Sequence, residues 1–105
     1  MSKDNILTAQ DVIEQASQYL SEEDTDFIRR AYEFAKKAHE NQFRKSGEPY
    51  IIHPVQVAGI LVHLELDPET ISGGFLHDVV EDTDVTVEML QEEFNTEVAM
   101  LVDGV

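Results

Sequence analysis

Residues 71–83 read ISGGFLHDVVEDT and combine an apolar segment with a dense group of titratable side chains. At about 100° per residue, one helix would place the imidazole and the three carboxylates of this stretch within an arc of about 140°. The two valines between them would point to the opposite side. The stretch therefore predicts a helix with one face in a core and one face available for chemistry. The polar residues of that face are His77, Asp78, Glu81 and Asp82.

Helical periodicity continues along the chain, and no alternating, strand-like pattern longer than three or four residues interrupts it. Pro54 suits the first turn of a third helix and places His53 at or just before the N-terminus of that helix. A fourth helix is predicted to run from Pro68 through Val80, and residues 41–50 form a polar loop. We therefore expect an all-α fold of about five to six helices. The expected N-caps are Thr8, Ser21, Asp67, Thr86 and Asn95.

The composition excludes several classes of protein. The chain has 105 residues, with 22 Asp and Glu against 7 Lys and Arg, and a formal charge of −15. Its length indicates one domain, and its charge would repel nucleic acid and anionic lipid. Cysteine is absent, which excludes disulfides, thiolate zinc sites and a cysteine nucleophile. No apolar run approaches the roughly 20 residues that span a bilayer, and no signal peptide is apparent, so we expect a cytoplasmic protein.

The acidic cluster has two interpretations. Negative charge concentrated on one helical surface is unfavourable unless water, cations or a metal ion offset it. Imidazole combined with carboxylates suits manganese, iron, zinc or magnesium in varying degrees. Alternatively, Glu81 and Asp82 belong to a solvated acidic face, which is common in a chain this rich in acids. The spacing alone leaves both interpretations open.

Three further histidines differ in their surroundings. His53 lies beside a helix start, directly after a polar loop, and is the plausible partner of His77. A hydrogen-bonded surface role is the alternative for His53. His39 ends the second predicted helix, where the macrodipole favours a cation, and we expect a mainly structural role for it. His63 falls on the polar side of its helix and is expected to be solvated.

The polar loop carries two of the seven cations, Arg44 and Lys45. Arginine stacks on bases or binds phosphate through two parallel hydrogen bonds, and lysine is a compact phosphate donor. A charged loop tip in solvent is the alternative interpretation. The loop leads directly into His53, which favours a ligand-binding role. Its neighbouring polar and aromatic side chains include Phe43, Ser46 and Tyr50.

Two long motifs resemble a known family. Residues 43–61, FRKSGEPYIIHPVQVAGIL, and residues 74–83, GFLHDVVEDT, are similar to the N-terminal hydrolase domain of the Rel/SpoT family. These bifunctional enzymes make and degrade the alarmone (p)ppGpp. The histidine at position 53, followed by the His-Asp pair at 77–78, also resembles the first part of the sequence of the HD-domain metal phosphohydrolases. The last residues, EVAMLVDGV, fit the same family, and the resemblance covers nearly the whole chain from about residue 8.

The resemblance implies a fold and a metal centre. The fold would be the N-terminal portion of an all-helical HD-domain bundle. One manganese ion, or another divalent metal, would be bound by His53, His77 and Asp78. A later aspartate completes this set in the family and has no counterpart in this chain. Glu81 and Asp82, the acidic pair of the motif, would orient or deprotonate the attacking water.

The resemblance also implies a substrate. The family reaction removes the 3′-pyrophosphate of ppGpp or pppGpp, yields GDP or GTP, and belongs to the stringent response. Arg44 would stack on the guanine base, and Lys45 and Ser46 would add polar contacts to the nucleotide. Tyr50 is a weaker candidate that rests on proximity alone.

Domain organisation follows from the same resemblance. Residues 1–105 would form a single HD-type hydrolase domain, incomplete at its C-terminus, with synthetase and regulatory domains further along the parent chain. We expect no membrane contact and no direct binding of nucleic acid. Two alternatives stay open. The first is an HD phosphohydrolase that acts on a nucleotide other than (p)ppGpp. The second is a catalytically incomplete fragment that binds nucleotide or metal.

Overall fold

The structure is a computed structural model that describes residues 7–104. Seven helical segments make up most of this part of the chain. The predicted all-α class is confirmed, since an isolated bridge between Phe43 and Pro49 is the only β-pairing among the described residues. None of the described helices is long and apolar enough to cross a membrane. In chain order the helices are α1 (Ala9–Ser17), α2 (Glu22–Ala38), α3 (Ile52–His63), α4 (Pro68–Leu76), α5 (Val79–Asp82), α6 (Val87–Glu93) and α7 (Thr96–Asp103).

The five predicted N-caps are confirmed. Each cap side chain accepts a hydrogen bond from the third backbone amide of its helix. At α1 the Asp11 carboxylate also accepts from the Thr8 amide at 3.0 Å, which completes a capping box. These bonds satisfy amides that a helix start leaves unpaired, so local sequence sets where the helices begin. The caps are Thr8 for α1, Ser21 for α2, Asp67 for α4, Thr86 for α6 and Asn95 for α7.

The predicted fourth helix is interrupted. A turn at His77 and Asp78 divides it into α4 and α5, so the prediction of one continuous helix is wrong. In an uninterrupted helix the Gly74 carbonyl would accept the backbone amide of Asp78. The His77 ring competes for that carbonyl, because its Nδ1 lies 2.8 Å from the Gly74 oxygen. The two residues with the clearest chemical signal in the sequence therefore lie in a turn.

The start of α3 lies slightly earlier than predicted. Pro54 is in the first turn, as expected, but His53 is the second residue of the helix rather than at or before its N-terminus. The amides of Ile52 and His53 donate to the carbonyls of Pro49 and Tyr50 at 3.2 and 3.0 Å. These bonds to the third preceding residue form a tight turn that starts the helix before the proline.

Helix α4 lies at the centre of the fold and contacts α2, α3 and α7. All its residues from Ile71 to Leu76 are buried. Phe75 packs against Tyr32 of α2, with 5.7 Å between the ring centroids. The close approach to α3 depends on Gly74, where an added Cβ would lie 2.7 Å from Leu61 Cδ1. This packing fixes the end of α4 and hence the position of the turn that follows it.

The turn after α3 holds a residue whose backbone conformation favours glycine. Glu65 has a φ angle of 57°. Its amide donates to the Val62 carbonyl at 2.8 Å, and the Leu66 amide donates to the Leu61 carbonyl at 3.2 Å. These two bonds form a Schellman motif, whose left-handed position is usually glycine. A residue with a Cβ costs about 1–2 kcal/mol there.

We expect Glu65→Gly to raise the free energy of unfolding by about 0.5–1 kcal/mol, since the relief of strain exceeds glycine's added freedom in the unfolded chain. The melting temperature should rise by roughly 2–8 °C, measured by circular dichroism. Glu65→Gln is the matched control, because it removes the charge and retains the Cβ. An equal gain in both variants would assign the effect to charge and contradict the backbone argument.

Candidate metal centre and nucleotide loop

Three side chains with metal-ligating atoms meet where α3 begins and α4 ends. His53 comes from the first turn of α3, and His77 and Asp78 form the turn after α4. Asp78 Oδ2 lies 3.2 Å from His77 Nε2 and 3.8 Å from His53 Nε2. One ligating atom from each residue lies within 4.8 Å of the other two. The packing of α3 against α4 thus brings together the three residues that the family resemblance implies as metal ligands.

The surroundings of His77 determine which ring nitrogen is free. Nδ1 lies 2.8 Å from the carbonyl oxygen of Gly74, which can only accept, so Nδ1 carries the proton and donates. In the neutral ring Nε2 then has a lone pair, which lies beside the Asp78 carboxylate. Two lone pairs this close repel each other unless a cation lies near both. Donation of the second ring nitrogen to a backbone carbonyl is typical of metal-ligating histidines.

The donor set fits a divalent metal ion. Two imidazoles and a carboxylate suit manganese, iron or zinc. Ligands that each lie about 2.0–2.2 Å from one ion are roughly 3–4 Å apart, which agrees with the spacing of these three residues. The side chains of His53 and Asp78 are 38% and 17% exposed. The group therefore opens to solvent on one side and leaves room for water or substrate.

A second interaction holds the Asp78 carboxylate from the side of the loop. The Tyr50 hydroxyl donates to Asp78 Oδ2 at 2.6 Å. Burial, the hydrogen bond to Asp78 and the negative charges of Asp78 and Asp82 raise the pKa of the Tyr50 phenol well above its usual value. The phenol therefore remains a protonated donor at neutral pH. Sequence proximity assigned Tyr50 to the nucleotide, whereas its hydroxyl binds a candidate metal ligand.

Glu81 and Asp82 extend from α5, directly after the turn that carries the candidate ligands. Both side chains are exposed, whereas Val79 is fully buried. The predicted opposition of a polar and an apolar face therefore holds within α5. The two carboxylates lie outside the group of three converging residues. The charge of Asp82 nevertheless reaches the Tyr50 phenol, so α5 lies beside that group.

The loop with the predicted nucleotide-binding residues is a short hairpin. The Arg44 amide donates to the Glu48 carbonyl and the Gly47 amide to the Arg44 carbonyl, both at 2.8 Å. Gly47 has a φ angle of 94°, which side chains other than glycine rarely adopt. The exposed hairpin lines an open cleft of about 490 Å³, in which Tyr50 lies beside the consecutive residues 44–46. The cleft is lined by Phe43, Arg44, Lys45, Ser46 and Tyr50.

One polar pair beneath this loop is not among the residues predicted from the sequence. His39, at the end of α2, is 2% exposed, and its Nδ1 lies 2.9 Å from Gln42 Oε1. Its ring packs on Tyr50, with 4.8 Å between the centroids. The burial agrees with a structural role for His39, and the three-residue spacing to Gln42 is the signal that could have indicated the pair. His63, predicted to be solvated, is exposed.

A protein-family comparison identifies the fold. The model of the HD domain family matches residues 31–105, which include every candidate metal-binding, catalytic and nucleotide-binding residue described above. The match agrees with the predicted dependence on a metal ion. It also agrees with the convergence of His53, His77 and Asp78.

Curated proteins are similar over most of the chain. A GTP pyrophosphokinase of Myxococcus xanthus is 55% identical over 89 residues, which is 85% of this chain and 12% of that protein. A guanosine-3′,5′-bis(diphosphate) 3′-pyrophosphohydrolase of Vibrio cholerae is 54% identical over 90 residues, 86% of this chain and 13% of that protein. The bifunctional (p)ppGpp synthase/hydrolase SpoT of Escherichia coli K12 is 51% identical over 87 residues, 83% of this chain and 12% of that protein.

The chain spans about an eighth of the length of these relatives. Their names confirm the resemblance to the Rel/SpoT family that residues 43–61 and 74–83 predicted. The helical fold and the converging residues agree with the family match. The chain therefore belongs to the HD domain family, and within it the chain is similar to the enzymes that make and degrade (p)ppGpp.

Proposed function

We propose that this chain hydrolyses the 3′-pyrophosphate of (p)ppGpp, as a guanosine-3′,5′-bis(diphosphate) 3′-pyrophosphohydrolase. The products are pyrophosphate with GDP from ppGpp, or with GTP from pppGpp. The observation that supports this most directly is the convergence of His53, His77 and Asp78 at the end of α4. The names of the similar hydrolases supply the substrate.

Manganese is the metal ion that we propose for these three residues. Mixed imidazole and carboxylate donors suit manganese, and the same donors also accept other divalent ions. A bound ion would activate water as a nucleophile and polarise a phosphoryl oxygen. The chain contributes an oriented ligand set, because the Gly74 carbonyl holds Nδ1 of His77 and leaves Nε2 free.

Glu81 and Asp82 are the proposed catalytic carboxylates. They lie on α5, beside the ligand group, and both are exposed to the solvent from which the attacking water comes. An ionised carboxylate accepts a proton from water as the new bond to phosphorus forms. The bond from that phosphorus to the ribose 3′ oxygen breaks, and the 3′ oxygen takes up a proton from solvent to become the hydroxyl of GDP or GTP. We assign this role to Glu81, and we assign orientation of the water to Asp82. The released pyrophosphate leaves through the open side of the site.

The hairpin is the proposed nucleotide contact. A chain with a charge of −15 needs local cations to accept a polyanionic substrate, and Arg44 and Lys45 supply two. Arg44 would stack on the guanine base, and Lys45 and Ser46 would donate polar contacts. Tyr50 lines the same cleft and touches Asp78, so the cleft adjoins the ligand group. A base held in the cleft would present the 3′ group toward the metal.

The same proposal covers the domain organisation. Residues 1–105 would be a single HD-type hydrolase domain, and the much longer relatives support the presence of synthetase and regulatory domains in the same protein. Direct nucleic-acid binding is unfavourable for this domain, because the charge of −15 opposes it. The cytoplasmic location stays a prediction.

We expect the chain to release pyrophosphate from ppGpp in the presence of Mn²⁺, and His77→Ala to lose this release. The reason is that alanine removes the imidazole that faces the Asp78 carboxylate. Pyrophosphate is measured by a coupled colorimetric assay, with a chelator added in one arm to remove the metal. His63→Ala is the matched control, because His63 is exposed on α3.

Several outcomes would contradict the proposal in different ways. Equal release from other nucleotides would assign the chain to an HD phosphohydrolase of another specificity. Binding of Mn²⁺ or nucleotide without any release would assign it to the binding fragment that the sequence left open. Release that persists in His77→Ala or in chelator would exclude the metal site proposed here.

A further inference from the structure

Tyr50 contacts both the loop and the ligand group. Its ring packs on His39 at 4.8 Å and meets the His53 ring at 6.0 Å with an interplanar angle of 67°. Its hydroxyl lies 2.6 Å from Asp78 Oδ2. The ring therefore contacts His39 at the end of α2 and His53 at the start of α3, and the hydroxyl reaches the turn after α4. Contacts on three sides leave the phenol little freedom to move.

Gln42 holds the histidine that supports the Tyr50 ring. Its Nε2 donates to the Asp82 carbonyl at 2.6 Å, which identifies Oε1 as the atom 2.9 Å from His39 Nδ1. Because Oε1 can only accept, His39 Nδ1 carries the proton. The Tyr50 amide also donates to the Gln42 carbonyl at 2.9 Å. The end of α2, the loop and the end of α5 are thus tied together around one tyrosine.

We propose that Tyr50 is a positioning residue that fixes the Asp78 carboxylate for metal binding, an inference that rests on the metal site proposed above. A carboxylate oxygen has more than one acceptor position, so Oδ2 can accept the phenol and still face His53 and His77. The phenol is a neutral donor, and it orients the carboxylate without placing a second positive charge beside the metal. Its support by His39 restricts the direction of that donor.

This role differs from ordinary packing. Asp78 is held at its backbone by the turn, but its carboxylate is free to rotate unless a second group binds it. The phenol is such a group, and it reaches Asp78 from a loop that is distant in sequence. Hydrogen-bond partners of metal ligands typically change metal affinity by about 10–100-fold when they are removed. A residue that only packs would change stability and leave the affinity for metal unaltered.

The test compares two tyrosine variants by their affinity for Mn²⁺ in the absence of nucleotide. Tyr50→Phe removes the bond to Asp78 and keeps the ring. Tyr19→Phe removes a bond of similar length, 2.7 Å to the Leu66 carbonyl, at the other end of α3. Free Mn²⁺ is measured by electron paramagnetic resonance, and the melting temperature of each metal-free variant by circular dichroism.

We expect Tyr50→Phe to weaken Mn²⁺ binding by about 10–100-fold and Tyr19→Phe to leave it unchanged, although both variants lose a hydrogen bond. Wild-type binding with an unaltered affinity in Tyr50→Phe would overturn the positioning role alone. An equal loss in both variants would assign the effect to general stability and overturn it as well. Absence of Mn²⁺ binding by the wild-type chain would overturn the proposed metal site together with this inference.

Discussion

Replacement of Asp78 by asparagine is expected to lower the affinity for Mn²⁺ by ~100-fold or more, because loss of a partner of a metal ligand alone costs about 10–100-fold. The substitution keeps the shape of the side chain and removes its charge. His53 and His77 would then be the only two of the three converging residues left to bind the ion. Isothermal titration calorimetry measures the affinity, and pyrophosphate release from ppGpp should fall by a similar factor at limiting metal.

Asp103→Asn is the matched control for this variant. It makes the same chemical change at an exposed position at the end of α7, and it should leave both metal affinity and pyrophosphate release unaltered. Circular dichroism of both variants without metal separates loss of binding from loss of fold. Mn²⁺ affinity that is retained in a folded Asp78→Asn chain would exclude Asp78 as a ligand.

The helices could be predicted because their determinants are local. Each of the five predicted caps contacts an amide three residues further along the chain. The apolar positions that repeat with the helical period are the ones that pack in the core, as Ile28 and Ala35 of α2 show. Signals within one helical turn are visible in a sequence without knowledge of the partner helix.

The details of the site depend on contacts that no local pattern contains. The break after Leu76 lies where the His77 ring contacts the Gly74 carbonyl, a contact that depends on a side-chain rotamer and that no local pattern predicts. The bond from Tyr50 to Asp78 joins residues far apart in sequence, and it forms only because α3 packs on α4. The motifs therefore indicated which residues gather, whereas the tertiary structure determines which atoms face each other.

Glu81→Gln is expected to leave Mn²⁺ affinity unaltered and to lower kcat for ppGpp hydrolysis by ~10²–10⁴-fold, the range that a general base contributes. Glutamine keeps the size and the polarity of the side chain but cannot accept the proton of the attacking water. Glu81 lies on α5 outside the group of three converging residues, so its loss should not affect the ligand set. Steady-state pyrophosphate release and calorimetric titration with Mn²⁺ separate the two effects.

Comparison of Glu81→Gln with Asp78→Asn tests whether the turn after α4 binds the metal while α5 supplies the general base. Glu88→Gln, at an exposed position of α6, controls for the loss of one negative charge from a chain of −15. If Glu81→Gln weakens metal binding as strongly as Asp78→Asn does, Glu81 is a ligand and the base lies elsewhere. If Glu81→Gln leaves kcat unaltered while Asp78→Asn is inactive, the metal alone activates the water. The exposed face of α5 is then the solvated acidic surface that the composition also allowed.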